Sequence, residues 1–369
     1  MSKARQLADL GNQVDDGAIT GTNMVVNGAM NVAQRGNSTG VTATGYYGPD
    51  RFQLAASGRD QFQLSISQAS DGPEGYSNSW KMETTTAETA VDSSEYVICL
   101  QRMEGQNLQH LKYGTSGAQQ LTASFWVKSS VAAVFGINMY SSDGVRIIGS
   151  TYTINSANTW EYKTVTFAGD TGGTINNDNG DALYLGFVLA AGSDMRTTDN
   201  TSWGSYSSGT LAYGHTAAAN AVMTTSGATW QITGVCLNVG DSAIDFPHES
   251  YGETLARCKR YFERIGIPAG SNYQSFGVGH VHTSAVAVAV VSFEVEKRVS
   301  PTASYDTGSN FAVLNASGGS VACTSVSTSR ITTHLVSVTA NSSGLVAGNA
   351  TFLIANNTAK PFIDIDAEL

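Results

Sequence analysis

The amino-acid sequence predicts an all-β protein: a jelly-roll β-sandwich, a short linker helix and a second, smaller β-sandwich. Three observations carry that expectation. Apolar and polar residues alternate over many short segments, Gly, Asn, Asp and Ser cluster between those segments, and one segment alone has good helix signals. The alternation is clearest in Phe62-Gln63-Leu64-Ser65-Ile66-Ser67, in Leu121-Thr122-Ala123-Ser124-Phe125-Trp126-Val127-Lys128 and in Trp160-Glu161-Tyr162-Lys163-Thr164-Val165-Thr166-Phe167. A period of two sends successive side chains to opposite faces, which is the signature of half-buried antiparallel strands.

Met24-Val25-Val26-Asn27-Gly28, Leu183 to Leu189 and Trp230 to Val235 read as further strands. Asp143-Gly144, between Ile137-Asn138-Met139-Tyr140 and Val145-Arg146-Ile147-Ile148, predicts a hairpin with Gly144 at positive φ. Trp126 and Trp160 alternate with polar residues and are expected in the core rather than on a sugar-stacking surface. Together these segments place the jelly-roll over residues 22–248.

Ser250-Tyr251-Gly252-Glu253 has the spacing of a capping box, and Tyr251, Leu255, Cys258 and Phe262 fall on one stripe. A linker helix is therefore expected over 249–266, with Gly266 as its stop. Strand patterns resume in Ser284 to Phe293, Phe311 to Leu314, Arg330 to Val338 and Ala350 to Ala355, which places the smaller sandwich over 267–369. Residues 1–21 hold one short helical possibility around Leu7 and Leu10, below the length at which an isolated helix persists. That segment is expected to act as an arm that docks on something else or bundles with copies of itself.

Apolar residues make up 41% of the 369 and charged ones 14%, so Ser, Thr, Asn, Gln and Gly must cover much of the surface. With eight lysines and a formal charge of -10, the chain opposes the counterion release on which phosphate-backbone binding relies, so no nucleic-acid partner is expected. Cys99, Cys236, Cys258 and Cys323 lie far apart, without metal-site spacing, and read as reduced and mostly buried. Residues 1–20 lack an apolar leader core and Ala285 to Val291 is too short to span a bilayer, so no membrane insertion is expected.

The sequence contains no P-loop, dinucleotide fingerprint or His-Glu-x-x-His, and it is read as non-enzymatic and without a cofactor. His280-Val281-His282 would face one way on a strand, and three symmetry-related copies could offer six imidazoles to a metal. Ordinary strand histidines are the simpler reading, and no metal is assigned. Asp170 and Asn176-Asn177-Asp178-Asn179-Gly180-Asp181 offer oxygen ligands for Ca²⁺ without EF-hand spacing, as a polar turn does. Trp203, Tyr206 and Tyr213 stand among Ser, Asn and Gly in the long loop 192–221, a mixture that suits sugar recognition, and they are the candidate ligand-binding residues. The competing role for these rings is to cap one end of the sandwich.

Several segments, in a fixed order, carry a family resemblance. Asn23 to Gly36 is similar to the pattern N-L-x-x-N-G-x-M-x-x-x-Q-R-G, followed by Asp50-Arg51-Phe52 at the place of D-R-[WF]. Ser124-Phe125-Trp126-Val127-Lys128 and Thr159-Trp160-Glu161-Tyr162 match inner strands, and Ile232 to Gly240 matches the closing strand. Glu253 to Phe262 resembles E-L-x-x-C-x-R-Y-[YF], and Lys297-Arg298-Val299-Ser300-Pro301-Thr302 resembles M-R-x-x-P-T. Over residues 22–305 the chain thus resembles a widespread family of bacteriophage tail-fibre and receptor-binding proteins. It departs at Cys236-Leu237-Asn238, where the family has Gln-Leu-Glu and hence a carboxylate, and at Lys297, where the family has Met.

Gln34-Arg35-Gly36 and Asp50-Arg51 are expected to tie the start of the sandwich to a neighbouring strand by charge-assisted hydrogen bonds. The resemblance implies a tail-fibre subunit of the virion, assembled in the host cytoplasm as a homotrimer, held to other virion proteins through residues 1–21 and binding a host surface glycan. Two other classes compete with it: a purely structural virion subunit such as a head-fibre, decoration or baseplate protein, and a carbohydrate-binding module or polysaccharide depolymerase.

Overall fold

The computed structural model describes residues 22–58, 61–197, 201–207, 213–215, 219–266, 272–315, 317–357 and 360–369, and the expected arm of residues 1–21 lies outside them. The chain divides into two compact units, one ending at Thr254 and the other spanning Leu255–Glu368. That boundary falls inside Tyr251–Lys259, the one α-helix among the described residues.

The first unit is a sandwich of two sheets. One has six strands, in the order Ser38–Val41, Gln63–Ala69, Ser79–Thr86, Thr229–Val239, Leu121–Ser129 and Glu161–Phe167. The other has seven, in the order Gly204–Ser205, Arg146–Thr153, Val134–Ser141, Asp181–Ala191, Tyr96–Glu104, Gln53–Ser57 and Gly45–Tyr46. The chain passes repeatedly from one sheet to the other, as a jelly roll requires, and every pairing within the two sheets is antiparallel. Phe125, Val127, Trp230 and Ile232 of the first sheet meet Leu54, Phe135, Ile137 and Phe187 of the second in a single core. Within it Phe125 packs edge-on against Phe187 at 4.9 Å.

Leu121, Ala123, Phe125 and Val127 carry the inward phase of their strand, so Trp126 points the other way. This corrects the expectation of a core position. Trp126 is half-buried and its ring lies 5.3 Å from that of Tyr162, its cross-strand partner. Trp160, immediately before Glu161–Phe167, is also half-buried, under the Lys128 ammonium at 5.0 Å.

Asn23 to Gly28 is likewise not a strand but a turn. Asn23 Oδ1 accepts from Val25 N at 2.9 Å and Asn27 takes a left-handed backbone, φ 61°, both incompatible with extension. The Asn27 side chain is buried, donating to Val32 O and Asp50 O and accepting from Val32 N. Asp50 in turn accepts from Gln34 N at 2.8 Å and from Gln34 Nε2 at 2.5 Å, while Arg51 donates to Arg102 O at 2.8 Å. The motif at the start of the sandwich is thus a buried polar knot. Gly28 is required there because a Cβ would lie 2.1 Å from Val235 O.

The hairpin at Asp143-Gly144 forms with Ser141 paired to Arg146, which leaves a four-residue loop instead of a two-residue one. Its left-handed residue is Val145, φ 48°, and not Gly144.

The capping box forms: Glu253 Oε2 accepts from Ser250 N at 3.0 Å, and Glu253 N donates to Ser250 Oγ at 3.3 Å. The helix ends at Lys259 rather than at Gly266, because Phe262–Gly266 is a strand paired along its length with Phe362–Asp366. Arg264 and Asp364, cross-strand neighbours in that pair, make two hydrogen bonds of 2.6 and 2.7 Å. A partner strand centred 100 residues away outcompetes the local helical stripe.

The second unit contains the three-stranded sheet Phe262–Gly266, Phe362–Asp366 and Thr302–Tyr305. It packs on a seven-stranded sheet ordered Ser320–Ala322, Phe311–Leu314, Ala350–Ala355, Ser275–Thr283, Val286–Ser292, Leu335–Asn341 and Ser325–Ser329. Ile363 and Ile365 of the small sheet share a core with Ala289, Val291, Phe311 and Val338 of the large one. All four cysteines are free and buried.

Candidate functional site

The outer face of the seven-stranded sheet of the first unit carries a second apolar cluster, built from Ala55, Ile98, Leu100, Tyr184, Val188 and Ala191. Register sets its rows. Tyr184 stands between Tyr140 and Arg102, and Val188 between Gly136 and Ile98. The long loop 192–221 meets this sheet, over its face or along its edge, at several described points. Asn138 Nδ2 donates to Tyr213 O at 2.7 Å, Ala219 N donates to Val134 O at 2.8 Å, and Gly204 pairs with Ile147.

That path brings Tyr206 and Tyr213 together, with ring centroids 4.8 Å apart and nearly parallel at 27°. Tyr213 also lies 5.0 Å from Tyr96, and Tyr206 lies 5.9 Å from Tyr140, which stacks on Tyr184 at 5.3 Å. The Arg102 guanidinium continues the array, 5.6 Å from the Tyr184 ring centre. Five tyrosines from three strands and one loop thus form a continuous surface, within which Tyr184 is buried and the other four are half-exposed.

Trp203 is elsewhere. Its Nε1 donates to Ala168 O at 2.6 Å and its ring meets Tyr113 edge-on at 5.8 Å, against the main core. Of the three loop aromatics, the structure unites two and assigns the third to packing.

A polar cluster adjoins the tyrosines. Arg102 pairs with Asp181, which also accepts from Ser142 Oγ at 2.9 Å, and Arg102 Nε donates to Gln53 Oε1 at 3.1 Å. Asp181 Oδ1 and Asn138 Oδ1 are buried with no hydrogen-bond partner among the described residues. Burial raises the phenol pKa values of Tyr140, Tyr206 and Tyr213, and most strongly that of Tyr184. The rings are therefore neutral across the physiological range, and each offers a hydroxyl beside an apolar face. Flat rings next to a carboxylate, a guanidinium and a carboxamide suit an uncharged polyol better than an ion.

The opposite sheet has its own aromatic patch, Trp126, Tyr162 and Trp160, and the two charged side chains beside it are paired with each other. Asp71 accepts from Lys128 and, at 3.4 Å, from Trp160 Nε1, and the hydrogen bond from Lys128 leads the causes that hold its carboxyl pKa low. The tyrosine face is the larger of the two, with five rings linked through mutual contacts.

The other sequence candidates are placed apart. Asp170 is fully buried, bonded to Arg146 Nε at 2.8 and 3.0 Å and to Gly172 N at 3.0 Å. Asp178 Oδ1 accepts from Gly180 N within its own turn, while Asn176 N and Nδ2 donate to the Asp143 carboxylate of the hairpin loop. His280 and His282 are exposed, with ring centroids 6.2 Å apart. Among the described residues no group of three or more His, Cys, Asp or Glu side chains could hold a metal ion.

Tyr96, Tyr140, Tyr184 and Arg102 are absent from the sequence expectation, and Asp181 figures in it only as an oxygen of the polar turn 176–181. The available signal was Leu183 to Leu189, apolar in both phases, which means a strand covered on both faces.

These features define a two-unit all-β protein with an aromatic surface on its larger sandwich. No family model matches the chain, and no curated protein matches it. Solved structures overlap part of it. The enzymatically active domain of tailspike protein 4 of bacteriophage CBA120 is 11% identical, with a TM-score of 0.32 over 59% of this chain and 21% of that one. The family 11 carbohydrate-binding module of a cellulosomal cellulase of Clostridium thermocellum is 14% identical, with a TM-score of 0.27 over 55% of this chain and 100% of the module. The CBM22-1 xylan-binding domain from Paenibacillus barcinonensis is 11% identical, with a TM-score of 0.25 over 56% and 94%. The sandwich architecture of the first unit rests on its own sheet order and shared core, not on these overlaps.

Proposed function

We propose that this chain is a non-catalytic glycan-binding subunit of a bacteriophage fibre, a homotrimer that attaches to the particle through residues 1–21 and recognises host surface sugar through its tyrosine face. The carrying observation is the continuous array from Tyr96 through Tyr213, Tyr206, Tyr140 and Tyr184 to Arg102. Pyranose rings stack on flat aromatic faces, and phenol hydroxyls at the edges of those rings can exchange hydrogen bonds with sugar hydroxyls. The tail-fibre class is favoured by the ordered motifs from Asn23 to Thr302. Multivalent display would raise a weak single-site affinity to useful avidity.

The test is calorimetric titration of the purified protein with host surface polysaccharide, beside Tyr206→Ala and Tyr213→Ala. Removal of one anchoring ring is expected to cost about 2 kcal/mol, roughly thirtyfold in affinity. The polysaccharide should be recovered at its original length. Unchanged affinity in both variants, or shortened polysaccharide, would overturn the proposal.

A further inference from the structure

The large sheet of the second unit leaves an apolar face exposed. Val278 is 61% exposed, Phe352 43% and Val290 39%. They are not scattered, since Val278 is the direct cross-strand partner of both Phe352 and Val290. Register extends this row through Ser337 to Ser329, and the adjacent row runs Ala350, His280, Val288, Thr339, Ser327. None of these ten positions over five strands is Asp, Glu, Lys or Arg, on a chain whose net charge is -10.

The strand Val286–Ser292 sharpens the point. Ala287, Ala289 and Val291 fill the core, while Val286, Val288 and Val290 occupy the opposite face. A strand apolar in both phases is built for cover on both sides, and among the described residues it has full cover on one.

We propose that this face is the surface through which copies of the chain pack against one another. Across a symmetry axis a patch meets its own copy or a close neighbour, so any fixed charge on it would face its like. This face carries none, whereas the rest of the acidic chain would repel a second copy. A partner selected by charge would find nothing to pair with, and a membrane surface would find no Lys or Arg to hold it. The inference rests on the homo-oligomer proposed above and names the surface that builds it.

Sedimentation of the full chain should give an integral multiple of 38.7 kDa. Val278→Glu, which places a charge at the centre of the patch, should reduce the mass to that of one chain, and the milder Phe352→Ser should weaken association at unchanged fold. Val145→Glu, at a 50% exposed valine of the first unit, should leave the assembly intact. A monomeric parent, or well-folded Val278→Glu and Phe352→Ser variants that assemble as the parent does, would overturn the inference. Per-chain glycan affinity, read on the monomeric Val278→Glu protein, keeps a failure of this surface distinct from a failure of the tyrosine face.

Discussion

Lys297 offers the sharpest quantitative test of how the second unit is held together. Its side chain is fully buried, and its three donors are all used: Glu263 Oε2 at 2.5 Å, Lys259 O at 2.6 Å and Val295 O at 3.0 Å. Burial lowers its pKa below the ordinary lysine value, and Glu263 opposes that shift. Lys297→Met preserves length and shape while deleting the charge. It leaves Glu263, itself only 3% exposed, with Lys259 at 3.7 Å and Glu294 N at 3.3 Å, and strips two carbonyls of their donor. Breaking a buried pair from one side costs about 3–5 kcal/mol, and the surviving Lys259 contact puts this case near the lower figure, about 3 kcal/mol. Over a unit of this size that corresponds to a fall of roughly 10 °C or more in its melting temperature. Replacing both partners, Lys297→Met with Glu263→Leu, should recover most of the loss. Calorimetry of the full chain reads the effect, and tryptophan fluorescence is a built-in control because Trp80, Trp126, Trp160, Trp203 and Trp230 all belong to the first unit. A single variant within about 0.5 kcal/mol of the parent, or a double variant as unstable as the single one, would refute the reasoning.

Two further outcomes concern the first unit. Gly28→Ala places a methyl 2.1 Å from Val235 O and disrupts the 2.9 Å bond from Val235 N to Gly28 O, so tryptophan-detected unfolding should show a loss of about 2 kcal/mol or more. Burial raises the Glu161 pKa, but hydrogen bonds from Lys163, Ser156 and Asn155 outweigh it and bring the carboxyl to about 2. A depressed carboxylate stabilises the fold above its unfolded value of 4.5 and loses that contribution as pH falls toward 2. Glu161→Gln should therefore flatten the acid limb of the stability profile by about 1 kcal/mol, the surface position screening the rest, and an unchanged limb would contradict the assignment.

The architecture was legible because period-two patterns are local. Leu121 to Val127 and Val165 to Phe167 declare their inward phase within a few residues, and the capping box at Ser250 is written in four. Two of the failures share a cause in distant partners, whereas Trp126 is turned outward by the phase of its own strand. Phe262 reads as helical until Phe362–Asp366 arrives to pair with its strand, and Asn23 to Gly28 reads as extended until Asn27 is tied to Val32 and Asp50. The same holds for the site. Tyr206 and Tyr213 could be chosen from loop composition, but their neighbours Tyr140 and Tyr184 sit on separate strands that only sheet register aligns, and Trp203 has the same composition around it yet packs inward.

The placement of the tyrosines bears on how such a surface can vary. Ile98, Leu100 and Val188 need cover, and aliphatic residues in the loop would have supplied it at least as well. Tyrosine instead satisfies the same apolar demand on one side of the ring while leaving a hydroxyl and an edge on the other. The loop can therefore change its outer chemistry without uncovering the sheet, provided a ring remains in place. The polar knot of Asn27, Gln34, Asp50 and Arg51 holds the start of the sandwich, with Arg51 reaching Arg102 O in a strand of that sheet, and it involves none of the five tyrosines. On this reading recognition resides in rings whose main task in the fold is bulk, and Tyr206→Phe, which gives up a weak bond from its hydroxyl to Met195 Sδ at 3.6 Å, should lower the stability of the sandwich little while changing which sugar it prefers.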